Sequence, residues 1–249
     1  MKKYILPVVC VIFSGTLYAS TCQQSMKIFS GFTFPLKSDP QTGEVIQIPE
    51  RACFHGRDVT QWITGSSHDK LNSVLKIPDE ELFFVTSYNE QTGNSQMFRV
   101  FELSNGNPGK MLILKNDPHV DDPYKTLDGM SLDWYDEENG VVFFSTQAWH
   151  TSDAVWSFTL PVDRYEQLTL PVKPHFITDG NFQITFNNTI CNKCFAVNKH
   201  VIDDDGQGSY FPFYMVDFKG KKICQIDSRI KHWTLEPKCL PKNVIFKPR

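Results

Sequence analysis

Eight stretches of this chain share one form: a strand-like run of aromatic and β-branched residues, a polar turn, then a second such run. Four are of one kind, at residues 32–49 (FTFPLKSDPQTGEVIQIP), 98–115 (FRVFELSNGNPGKMLILK), 156–171 (WSFTLPVDRYEQLTLP) and 214–227 (YMVDFKGKKICQID). Their closing strands start at Ile46, Leu112, Leu168 and Cys224, which lie 66, 56 and 56 residues apart. The other four alternate with them, at residues 71–86, 130–146, 181–197 and 232–246. Aligning Phe84, Phe144, Phe195 and Phe246 gives spacings of 60, 51 and 51. A hairpin cannot bury its apolar face alone, so self-similar hairpins at a fixed period predict a repeated sheet unit.

The order of the two kinds carries topological information. A four-stranded unit uses one hairpin of each kind, and the order along the chain leaves one unit divided between the termini. The expected fold is therefore all-β, a four-bladed β-propeller. Its last blade takes two outer strands from the N-terminal segment and two inner strands from the C-terminal one. Closing sheets into a ring protects edges that would otherwise invite pairing with other chains. The alternative is a β-sandwich, whose hairpins also alternate. The only helical expectation is one or two turns around residues 57–62.

One repeat also resembles a known kind of blade. Asp128-Gly129-Met130-Ser131-Leu132-Asp133, followed by Val155-Trp156-Ser157-Phe158, is similar to a blade of six-bladed lactonase-like or YWTD-type propellers. The resemblance covers one repeat, and the chain is too short for six blades of this size. The repeat signature of the four-bladed hemopexin fold is not found. No family function is carried over.

Residues 1–19 read as a signal peptide: Lys2 and Lys3, an apolar run from Ile5 to Phe13, then small residues up to Ala19. That apolar run is shorter than a membrane span requires. Residues 20–249 are expected to form one exported domain, a monomer with no membrane span once the signal is removed. Cys10 belongs to the signal, leaving Cys22, Cys53, Cys191, Cys194, Cys224 and Cys239. An even set in an exported chain favours disulfides. Cys191-x-x-Cys194 falls in a hairpin rather than at the helix N-terminus that a redox couple uses, so a structural staple is expected. In that reading Cys191 lies in the hairpin turn. The two cysteines bridge each other or reach Cys224 and Cys239, and a bond from Cys239 to an N-terminal cysteine would lock the ring. The formal net charge is −3, with basic residues dispersed, which excludes a nucleic-acid footprint. The run Lys219–Lys222 (KGKK) reads as a solvated hairpin turn.

Candidate chemistry gathers before the first strand of each unit, where Asp69, Asp128 and Asp179 recur. Carboxylates converging on an axis would hold Ca²⁺ or another hard cation; Asp in such places also suits turns. His68, His119, His175, His232, His150 and His200 are spaced too irregularly for a ring of ligands. Residues 202–208 (IDDDGQG) lack the alternation and terminal Glu of a calcium loop and read as an acidic hairpin loop. Neither a G-x-S-x-G elbow nor a phosphate-binding glycine loop occurs. Trp149 and His150, just after a strand, together with Asp128 and Asp179, are the candidate binding residues. The sequence thus favours a non-enzymatic, disulfide-stabilised binding protein whose loops meet a protein or glycan partner. The alternative is a secreted lactonase- or esterase-like hydrolase with a divalent cation at the channel mouth.

Overall fold

Strand follows strand in antiparallel order in the computed structural model, which describes residues 22, 31–38, 45–77, 82–117, 126–148, 152–160, 172–188, 191–202, 206, 208–227 and 234–235. The N-terminal part contains β1 (Phe32–Thr33), β2 (Leu36–Ser38), β3 (Val45–Pro49), β4 (Cys53–Phe54), β5 (Arg57–Asp58) and helix α1 (Thr60–Thr64). A first large sheet follows: β6 (Lys70–Ile77), β7 (Leu82–Tyr88), β8 (Ser95–Glu102) and β9 (Pro108–Lys115). The second sheet holds β10 (Ser131–Asp136), β11 (Val141–Gln147), β12 (Asp153–Thr159) and β13 (His175–Asp179). β14 (Asn181–Asn188) and β15 (Cys191–Asn198) begin the third, and β16 (Val201–Ile202) and β17 (Ser209–Tyr210) form a small projecting hairpin. β18 (Phe213–Asp217), β19 (Lys222–Asp227) and β20 (Thr234–Leu235) complete the third sheet in the order β14-β15-β18-β19-β20. The chain is all-β, built from several antiparallel sheets, none of them closed on itself among the described residues.

Every large sheet is a meander, each of its strands pairing antiparallel with the sheet's next strand along the chain. What differs from an ordinary half-solvated meander is that the first two sheets are buried on both faces. Phe83 and Val85 pack with Phe32, Phe34 and Phe54 of the N-terminal part. Phe84, one residue away, points oppositely and meets Phe144 and Phe158 of the second sheet. Phe143 then turns from Phe144 to pack with Phe195 and Val216 of the third. Phe83, Phe84, Phe143, Phe144 and Phe195 are all fully buried. Burial of each is worth about 1.5–3 kcal/mol, so Phe-Phe pairs in β7 and β11 bind neighbours on both sides.

The first strand of each large sheet is interrupted by a β-bulge: between Leu71 and Ser73, between Leu132 and Trp134, and between Phe182 and Ile184. The extra residue breaks the two-residue period. Leu132 therefore packs toward the first sheet and Trp134 toward the third, although plain alternation would put both on one face. Helix α1 ends at Gly65, whose φ of 86° is the left-handed cap. Lys110 of β9 donates to the helix-terminal carbonyls of Trp62 and Ile63. That side chain fixes the helix against the first sheet, and burial pushes its ammonium pKa down.

Several expectations are corrected. The strand closing the second sheet is His175–Asp179, paired with β12, not one starting at Leu168; residues 161–171 lie outside the described residues. β3 lies beside β6, the same strand that contacts β10; of the C-terminal hairpin expected at 232–246, only Thr234–Leu235 lie among the described residues. β20 extends the outer edge of the third sheet by pairing with β19. An open edge strand finds a partner wherever backbone is within reach, and β19 offers that edge nearest in sequence. The helix is at Thr60–Thr64, slightly beyond its expected place. Residues 219–221 do form the turn expected of KGKK, with Asp217 Oδ1 accepting the N–H groups of Lys219 and Lys221.

Cys22 and Cys53 form a disulfide with each other, so neither bonds Cys239. Cys191 is the first residue of β15, rather than part of the turn. Cys194 is a buried thiol, so the Cys191–Cys194 bridge is not made. Cys224 is disulfide-bonded. Cys239, the side chain of Cys191 and the expected signal peptide lie outside the described residues. No helix among the described residues is long and apolar enough to cross a membrane.

Candidate functional site

Antiparallel meanders put alternate connections at one end, and in this molecule that end is braced. The segments before β6, β10 and β14 share it with those joining β7 to β8, β11 to β12 and β15 to β18. Asn89 Nδ2 donates to Asp69 Oδ1 at 2.6 Å, while its Oδ1 accepts the N–H groups of Gln91 and Thr92. Asn116 Nδ2 donates to the carbonyl of Gly93 at 3.2 Å, and its Oδ1 accepts the N–H of Leu127 at 3.0 Å. Asn181 Oδ1 accepts the N–H of Asp153 at 2.8 Å. Lys199 forms an ion pair with Asp179. Asn serves well here because one amide offers donors and an acceptor to loop backbone on two sides.

The three recurrent aspartates lie at this end, each engaged locally. Asp69 receives Asn89, and Asp179 receives Lys199. Asp128 Oδ1 accepts the N–H of Gly129 at 2.9 Å, and its backbone carbonyl accepts from Gln147. Burial raises the Asp128 carboxyl pKa, with the Gly129 hydrogen bond opposing it. Burial, then the charges of Asp128 and Glu90, raise the Tyr88 pKa. No group of three or more His, Cys, Asp or Glu gathers to hold a metal among the described residues. Trp149 and His150 lie outside the described residues. Beside Lys199, His200 stacks on Phe211 with centroids 4.9 Å apart. Phe211 is 41% exposed and Ile202 62%, giving this end an apolar spot that the sequence did not single out.

A second polar group, which the sequence also did not mark, lies lower between the second and third sheets. Asp133, the extra residue of the β10 bulge, accepts from Ser145 Oγ at 3.2 Å through Oδ1. Its Oδ2 is buried and receives no hydrogen bond. Burial pushes the Asp133 pKa up to about 8; the Ser145 hydrogen bond opposes the rise and Asp153 adds to it. Burial also raises the pKa of Asp153. The available signal was Leu132-Asp133-Trp134, an acid between two large apolar residues, which reads as outward-facing until the bulge turns it inward.

With no family model and no curated protein matching the chain, what the site is for rests on its own geometry.

Proposed function

We propose that this chain is an exported binding protein, a propeller-like array of sheets whose braced loop end receives a protein or glycan partner. The observation that carries this reading is the set of side-chain-to-loop hydrogen bonds made by Asn89, Asn116 and Asn181. Loops held before a partner arrives lose less conformational entropy on binding, which is how a loop face gains affinity. The exposed Phe211, stacked on His200, supplies an aromatic surface of the kind that anchors partners. Three successive meanders, each opening on a bulged strand and packed face to face, support the propeller-like arrangement. The Cys22–Cys53 disulfide supports export to an oxidising compartment.

The test is a panel of glycans and surface proteins presented to purified protein, repeated with His200→Ala/Phe211→Ala and with Leu103→Ala at the opposite end. Affinity should fall at least about tenfold, or about 1.4 kcal/mol, in the double variant and stay unchanged in Leu103→Ala. Equal effects of the two variants, or turnover of ester or lactone substrates by the wild type, would overturn the binding reading.

A further inference from the structure

The buried carboxylate of Asp133 has a geometry that neither the fold nor the binding reading uses. Strand alternation places Ser145 and Phe143 of β11 on one face, with Asp153 and Val155 of β12 beside them. Phe143 and Val155 belong to the cluster shared with the third sheet, so that face looks into the junction of the second and third sheets. The bulge brings Asp133 to the same face, where Ser145 Oγ holds one carboxylate oxygen. The other oxygen, Oδ2, has neither a hydrogen-bond donor nor solvent, although the residue as a whole keeps partial exposure. Asp153 is close enough for its charge to act on Asp133, and Asn181 of β14 fixes the Asp153 backbone.

Two carboxylates and a hydroxyl therefore face the same junction of the second and third sheets. Buried negative charge left unpaired costs several kcal/mol, and a fold keeps it only where a proton or cation compensates. The geometry points to a hard-cation site, with Ca²⁺ as its probe, formed by Asp133, Asp153 and the Ser145 hydroxyl between the second and third sheets. Oxygen-only ligands of mixed charge are what Ca²⁺ accepts, with water completing its shell. The site uses different aspartates from the three that recur before the first strands.

Protons compete with a cation for a carboxylate oxygen, so the experiment is run above pH 8, where they are scarce. Thermal unfolding of the whole protein is followed in chelator and in millimolar CaCl₂, for the wild type and for Asp133→Asn and Asp153→Asn. With a dissociation constant of about 10⁻⁴–10⁻³ M and about 1 mM free calcium, the wild-type midpoint should rise by about 1–5 °C. Both variants should lose the rise. Asp133→Asn keeps the side-chain shape without the charge and is expected to remain folded. A wild type indifferent to calcium above pH 8 would overturn the site, as would an undiminished rise in Asp133→Asn.

Discussion

Ser73 Oγ accepts the backbone N–H of Leu132 at 2.7 Å, joining the first strand of one sheet to the first strand of the next. The same hydroxyl lies 2.6 Å from Thr86 Oγ1 within its own sheet. Two further bonds repeat the theme: Met130 N–H donates to Ser95 Oγ at 3.0 Å, and Asn72 Nδ2 donates to the Met130 carbonyl at 2.7 Å. Backbone groups at the start of β10 would otherwise be buried without partners, and short polar side chains of the first sheet satisfy them.

Ser73→Ala should therefore destabilise the fold by more than its size suggests. It leaves the Leu132 N–H and the Thr86 hydroxyl buried and unsatisfied, a cost of about 1–3 kcal/mol. Chemical denaturation should show a lower midpoint with an unchanged slope. A loss below a few tenths of a kcal/mol would mean that water replaces the serine.

Stability in chelator should fall as pH rises. The Asp133 pKa is raised from 3.8 to about 8 in the folded protein, so its contribution is fully present below about pH 4. It is lost as pH rises through 8, up to on the order of 5 kcal/mol. Asp133→Asn should flatten this dependence and be more stable than the wild type above pH 8. A shallower slope in the same direction should remain, from Asp128 and Asp153, which burial also raises. Unfolding curves across the pH range decide it, and a wild type more stable in base would contradict the assignment.

Gly220 and Gly106 both have positive φ, of 84° and 75°, but only one of them is crowded. A Cβ on Gly220 would stand 2.1 Å from the carbonyl oxygen of Ile177, whereas at Gly106 the nearest atom is 3.9 Å away. Gly106→Ala should cost about 1–2 kcal/mol from backbone strain alone. Gly220→Ala should cost clearly more, because the β18–β19 turn must lift from β13. Equal losses in thermal unfolding would show that the turn is not held against β13.

Breaking the Cys22–Cys53 bond, which closes a separation of 31 residues, should cost about 3–4 kcal/mol by chain entropy. Cys22→Ser/Cys53→Ser should expose the N-terminal strands to protease first, since the bond anchors the part that covers Phe83 and Val85. Limited proteolysis with mass mapping of the first cuts checks this, and first cuts in the second or third sheet would count against it.

Much of the architecture was legible along the chain. The hairpins at 71–86, 98–115, 130–146, 181–197 and 214–227 are all formed, because period-two alternation broken by turn residues is a local property. The Asp-bearing loops before the first strands also come to one end, since antiparallel order leaves them no other place. Their partners Asn89, Lys199 and Gly129 come from later loops or the turn itself, and the sequence ranks none of them above its neighbours. The Asn braces escaped notice for the same reason: Asn in a loop looks like ordinary turn punctuation.

Alternation specifies two faces of a strand without saying which neighbour each face will meet. Aligning Phe84 with Phe144 and Phe195 puts Phe84 one residue out of phase. Phe84 points forward to the second sheet, while Phe144 and Phe195 each point back to the sheet before. By facing, Val85 is their counterpart, and Cys194 matches Phe143 and Phe84. A single-residue shift sends every side chain of a strand to the opposite face, and a bulge makes that shift within one strand. The sequence by itself determined an all-β chain of repeated hairpins, because that needs only local periodicity. Only the tertiary structure decided the pairing of faces, the inward turn of Asp133 and the places of β3 and β20, because each depends on backbone distant in sequence.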